Sequence, residues 1–265
     1  MSNVSRRSVL VALGAAAIPP MVVAGARPAV AADDHFASNT ALYADPSVVE
    51  GTDYARRFRR HAALDNDETL SSPYPDTAII APHGGGIETG TSELCLALAG
   101  YHPKDLTASG AVYDYWMFEG LRSSGNGELH VTSIHCDDPV ALATVAGSRR
   151  TVSLHGCKAS DAGLTDPEAV AVLVGGADTA LKAALISAYR GIGVTAIDAA
   201  TVSALDGDDP RNIVNRNLRG AGVQLELTTA MRTRMFGTNT RAGRKSTTLE
   251  SFWSFVNATR QVLAA

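Results

Sequence analysis

Residues 76–98 read DTAIIAPHGGGIETGTSELCLAL. The apolar run at 78–81 has the length and composition of a buried strand, which ends at Pro82 and empties into a glycine loop. That loop carries His83 and Glu88. A helix follows, with Thr89, Thr91 or Ser92 as N-cap candidates and Glu93 in its first turn. Strand, loop and helix in this order hold an imidazole and a carboxylate at the carboxyl end of a strand, where open α/β sheets place their sites. Catalytic zinc commonly takes a mixed set of His and carboxylate ligands and leaves one position for water. A glycine turn with a solvated carboxylate and a core histidine would read in the same way.

On either side of this stretch, apolar runs alternate with helical patterns. Residues 53–64 alternate weakly, and Arg56, Arg57, Arg59 and Arg60 make them a poor central strand. Residues 112–118 are aromatic and β-branched, and 129–136, LHVTSIHC, alternate strongly; both read as strands. A short helix at 139–146 starts from Asp137 or Asp138. A strand at 151–154 then runs into His155 and Gly156. Residues 169–174 form an apolar strand ending in two glycines, and Asp178 caps an amphipathic helix to Tyr189. Strands at 194–197 and 223–228 and a closing helix at 249–263 complete the pattern. Strands alternating with helices predict a three-layer α/β/α sandwich.

Residues 1–31 hold Arg6 and Arg7, a moderately apolar run broken by Pro19 and Pro20, Ala29-Val30-Ala31, and no acidic residue. This is the pattern of a twin-arginine export signal cleaved before Ala32, and the apolar run is short for a membrane anchor. Residues 32–265 are then a single secreted domain, with no linker or repeat that would divide it. The net charge of −4 becomes −7 without the signal, which argues against nucleic acid as a partner. From Arg211 onward nine Lys or Arg face only Glu226 and Glu250, so this segment is locally basic. Of the three cysteines, Cys95 falls in a helical apolar pattern; Cys136 and Cys157 are open to a disulfide or to burial as free thiols.

His155 repeats the setting of His83: a short apolar strand ends and an imidazole sits against a glycine. Together with Glu88, the two histidines make a candidate His, Glu, His metal set. His130 and His135 compete for the third place, although their odd separation would point them to opposite faces of a regular strand. A hydrolase built on such a metal also needs a proton acceptor. Glu226, the acidic residue in the otherwise uncharged GVQLELT, is the candidate general base. Arg216 and Arg219, just upstream, could pair with it or clamp an anionic substrate, and Arg216 or His130 could stabilise an oxyanion.

The blocks HGGGIETGTSEL, FEG, LHVTS, LHGC, VGG, NIVNR and GVQLEL, in that order, resemble the phage-related poly-γ-glutamate hydrolase family, whose zinc-dependent fold is similar to that of the carboxypeptidase A group. The resemblance runs from about residue 53 to the final helix. It implies a mixed sheet flanked by helices, one zinc ion, and cleavage of γ-linked glutamyl amides. It matches His83 and Glu88 to the paired first ligands, His155 to the strand-end histidine and Glu226 to the base, and it sets His130 near the site as a hydrogen-bond donor. Four residues separate His83 from Glu88 where ordinary metallocarboxypeptidases have two. Two other readings share these residues: an N-formylglutamate amidohydrolase-like deacylase of small acyl-amino acids, and a non-catalytic binder of anionic wall or capsule polymers.

Overall fold

The computed structural model describes residues 34–60 and 76–265. The signal pattern and the last four residues of the expected early strand lie outside these residues. Among the described residues the chain builds a seven-stranded mixed sheet in the order β1-β3-β2-β4-β7-β5-β6. The strands are β1 (Tyr54–Arg59), β2 (Thr77–Gly85), β3 (Asp114–Gly120), β4 (Arg150–Cys157), β5 (Ala171–Gly175), β6 (Thr195–Asp198) and β7 (Val223–Thr228). β2 pairs in parallel with β3 and β4, β4 with β7, and β5 with β6, whereas β1 runs antiparallel to β3 and β5 antiparallel to β7. The arginine-rich β1 takes an edge, as its charge requires, since a central strand is covered on both faces. Among the described residues no helix is long and apolar enough to cross a membrane.

The helices α1 (Asn39–Ala44), α2 (Thr91–Leu98), α3 (Pro139–Ala146), α4 (Thr179–Gly191), α5 (Thr229–Thr233), α6 (Arg241–Arg244) and α7 (Glu250–Ala264) complete the chain. On one face α2, α4 and α7 cover Ile79, Val152, Val172 and Leu225 in the main core. There the rings of Tyr189 and Phe255 stack at 4.5 Å, and the Tyr189 hydroxyl finds Thr259 Oγ1 at 2.8 Å. Burying a side chain of this size contributes about 1.5–3 kcal/mol. On the other face, Leu42 of α1 and Ala141 and Val145 of α3 pack on Ile80, Trp116 and Phe118. A separate cluster, with Cys157, Leu173 and Ala199, covers the far end of that face. Between the two clusters the middle strands carry a polar stripe, Ser153 and His155 on β4 and Gln224 and Glu226 on β7.

Several elements differ from the sequence reading, three of them at the site for a local reason. β2 does not stop at Pro82 but continues to Gly85, with a register shift against β3 between Ala81 and Gly84. A bulge accommodates a residue that lacks an N–H and rotates those that follow. α2 is capped by Gly90, with φ of 100° and no side-chain bond. The expected cap hydroxyls serve the loop instead: Thr91 Oγ1 donates to the Glu88 carbonyl at 2.8 Å, and Ser92 Oγ accepts from Gly85 N at 2.9 Å. The alternating segment LHVTSIHC is not a strand. Its Leu129 ends a 3₁₀ turn, Asn126–Leu129, and its Ser133–His135 forms a second.

Candidate metal and hydrolytic site

Along β2, alternation would set His83 on the side of Ile79 and Ala81, beneath α2. The bulge after Ala81 turns it to the opposite face, where His155 projects from β4. The two imidazoles meet Nδ1 to Nδ1 at 3.0 Å. Glu88 reaches back from the loop to bring Oε1 within 2.9 Å of His83 Nδ1, and its Oε2 lies 3.8 Å from His155 Nδ1. Gly156 N donates to Glu88 Oε2 at 2.7 Å, which fixes the carboxylate. All three side chains are buried or nearly so.

The far nitrogens of both rings are engaged. His83 Nε2–H donates to the Val131 carbonyl at 2.9 Å, and His155 Nε2 sits 2.8 Å from Ser153 Oγ and 3.2 Å from Ser133 Oγ. With its Nε2 proton committed to Val131, His83 in its neutral form turns a lone pair toward a carboxylate oxygen and a second imidazole nitrogen. Three lone-pair donors so converged call for a cation between them. Donors 2.9 to 3.8 Å apart suit ligands of one zinc ion, since bonds of about 2.0–2.1 Å give tetrahedral edges of about 3.3 Å. The donor set therefore fits zinc, and hydrogen-bonded outer nitrogens are what zinc-bound histidines show.

His130 is the fourth member. Its ring stacks on His83 with centroids 3.9 Å apart, and one of its nitrogens lies within 4.8 Å of ligand atoms of His83 and Glu88. Its Nδ1–H donates to Asp34 Oδ1 at 2.9 Å, leaving Nε2 as the nitrogen available to the cluster. In the neutral ring that atom accepts rather than donates, so a donor role at Nε2 requires an imidazolium. His135 is half-exposed, and its Nδ1 lies 3.4 Å from Asp34 Oδ2.

The electrostatics follow from burial and crowding. Burial raises the Glu88 carboxyl, but the neighbouring His83 outweighs it and holds the group down to about 2. Burial opposes a charge on His83, yet Glu88 raises it above its ordinary value. Burial and the charge of His83 push His155 down to about 3. Glu226 pairs in register with His155, and burial and the charge of Glu88 push its carboxyl well above the ordinary range. Its Oε1 accepts from Gln224 Nε2 at 3.0 Å; Gln224 is held in turn by Asn212 Nδ2 at 2.8 Å.

The structure thus brings His83, Glu88, His155, His130 and Glu226 together. It does not bring Arg216 or Arg219 to them. Arg219 donates to Asp178, the buried cap of α4, at 2.8 Å beside the amino-terminal end of β7, and Arg216 is exposed. The basic segment does supply an arginine, but it is Arg232 on α5. Arg232 donates to the carbonyls of Thr89 at 2.8 Å and Leu227 at 3.2 Å. A Cβ on Gly156 would stand 2.5 Å from its guanidinium carbon, so the glycine is what lets this cation lie against β4 beside His155. The sequence signals for Arg232 and Asp34 were weak: each is one charged residue among several in a polar stretch.

The poly-gamma-glutamate hydrolase family model matches residues 64–258. The SPbeta prophage-derived UPF0714 protein YoqZ of Bacillus subtilis (strain 168) is 38% identical over 178 residues, 67% of this chain and 58% of its own length. The UPF0714 proteins YndL and YmaC of the same organism are 33% identical over 177 residues and 32% over 185, covering 63% and 71% of their lengths. The chain thus spans about three fifths of the first two relatives. A solved bacteriophage poly-gamma-glutamate hydrolase superposes with a TM-score of 0.69 at 29% identity, covering 87% of this chain and 97% of that one. The zinc-free apo form of YndL superposes with a TM-score of 0.70 at 29% identity, covering 88% and 98%. With this mixed sheet and the extent of the match, the chain belongs to the poly-gamma-glutamate hydrolase family.

Proposed function

We propose that the chain is an exported zinc-dependent hydrolase that cleaves γ-glutamyl amide bonds, with poly-γ-glutamate as its substrate class. The observation that carries the reading is the meeting of His83 Nδ1, His155 Nδ1 and the Glu88 carboxylate, with Glu226 in register beside them. That YndL has a structure described as zinc-free supports zinc as the metal. Held by His83, Glu88 and His155, zinc supplies a Lewis acid that polarises a carbonyl and makes water acidic enough to attack near neutral pH.

The chain's own residues do the rest. Glu226 has Oε1 tied to Gln224, which leaves Oε2 to take the proton from the attacking water and pass it to the leaving amine. Burial makes its carboxylate a stronger proton acceptor than an exposed one. Arg232 supplies a fixed positive charge for the negative charge that develops on the carbonyl oxygen, and it takes over the anion-recognising part that the sequence suggested for Arg216 and Arg219.

Zinc analysis of the purified protein, beside an activity screen on poly-γ-glutamate, tests the reading. One bound equivalent with shortening of the polymer is the expected result. A metal-free protein that gains no activity on zinc addition would refute it. For export, changing Arg6 and Arg7 together to Lys is expected to hold the precursor inside the cell; unchanged secretion would exclude the twin-arginine route.

A further inference from the structure

Both histidines at the centre lean on one turn. His83 Nε2 donates to the carbonyl of Val131, His155 Nε2 meets the hydroxyl of Ser133, and the ring of His130 lies on His83. The turn has no strand ladder of its own to hold it, since residues 130–132 stand between two short 3₁₀ turns. What holds it is Asp34, whose side chain is 6% exposed. One oxygen accepts from His130 Nδ1 at 2.9 Å; the other accepts from Thr132 N at 2.7 Å and lies 3.4 Å from His135 Nδ1. The segment carrying Asp34 is itself pinned. Phe36 is buried with Leu129 and Val131, and Thr40 N donates to Asp137 Oδ1 at 2.8 Å.

We infer that Asp34 is a positioning residue of the hydrolytic site: its carboxylate fixes His130 as the Nδ1–H tautomer, with Nε2 facing the cluster, and clamps the turn that orients His83 and His155. A carboxylate does this and an amide does not. Two donors, an imidazole N–H and a backbone N–H, approach its two oxygens, and an amide has only one acceptor oxygen. The role as a positioning residue rests on the functional reading above, but the tautomer does not depend on turnover.

The test uses the zinc-loaded full chain and the variants Asp34→Ala, Asp34→Asn, His130→Gln and Asp34→Ala with His130→Gln. Ring nitrogen shifts of His130 from ¹⁵N spectra are expected to show a protonated Nδ1 in the parent and loss of that signature in Asp34→Ala. Residues that hold a metal site's ligands in place typically account for about 10–100-fold in metal affinity or activity. Asp34→Ala is accordingly expected to lower kcat by about that factor with KM little changed. In the His130→Gln background the same change should cost clearly less than in the parent, because only the bond to Thr132 N remains to be lost. Should Asp34→Ala not fold, Asp34→Asn, which keeps the shape and one acceptor, is expected to show the same direction in both readouts. Retention of the Nδ1–H signature in the variants, or an undiminished kcat loss in the His130→Gln background, would overturn the inference. Loss of the signature in a protein that hydrolyses no γ-glutamyl substrate would support the tautomer assignment while refuting the functional reading.

Discussion

His155 and Glu226 stand opposite each other on neighbouring parallel strands, on the same face of the sheet. One is a candidate ligand and the other the candidate proton acceptor, so the sheet sets their spacing without help from a loop. Glu226→Gln keeps the shape and the bond partner Gln224 but cannot take a proton. Bound zinc is expected to stay at the parental level while kcat falls by about two orders of magnitude or more. Near-parental kcat would remove Glu226 from the mechanism.

The third ligand is decided by metal affinity. His155 points Nδ1 at His83 from a rigid strand, whereas His130 reaches the cluster from a turn. His83→Ala, Glu88→Ala and His155→Ala are each expected to lose zinc to a chelator that leaves the parent loaded. His130→Ala should keep its zinc and lose turnover. The reverse ranking of His155 and His130 would exchange their roles.

Arg232 is buried at the cost of its ordinary basicity: burial lowers its pKa, and the carboxylate of Glu88 opposes that fall. Arg232→Lys retains a charge but not the planar fork that reaches two carbonyls at once. A fall in kcat of about a hundredfold at unchanged zinc content is expected. Gly156→Ala should lower kcat in the same direction, because its new methyl group would occupy the place of the guanidinium. Parental kinetics in Arg232→Lys would assign the arginine to the scaffold alone.

Cys95, Cys136 and Cys157 are unpaired and buried. Burial pushes the thiols of Cys136 and Cys157 up to about 12, and Cys95 is also raised. Thiolate is the reactive form. The folded protein should therefore react slowly with a thiol reagent, the denatured one should show three thiols, and reductant should leave Tm unchanged. A Tm that drops with reductant would instead indicate a disulfide between Cys136 and Cys157.

Much of the fold was legible because the middle strands are short apolar runs and the caps are acidic. Asp178 and Asp138 both cap the helices assigned to them, accepting from Leu181 N and from Val140 N and Ala141 N. The sequence misled where punctuation and structure part company. Pro82 and Gly156 read as breaks, but parallel neighbours and a bulge carry both strands past them. In LHVTSIHC the alternation reflects buried Leu129, Val131 and Ser133 facing the centre from a turn, not a ladder. His83, Glu88, His155 and Glu226 could be picked out because each sits against glycine or inside an apolar run. Asp34 could not, since its partner His130 is 96 residues away.

The bulge in β2 makes chain length, as much as residue identity, a condition of the site. Were β2 to run past Ala81 without the bulge, plain alternation would return His83 to the side beneath α2, out of reach of His155. Length changes after Gly86 alter only how far Glu88 must reach. The facing of His83 is thus set by the backbone bulge between Ala81 and Gly84, and the reach of Glu88 by the loop after Gly86.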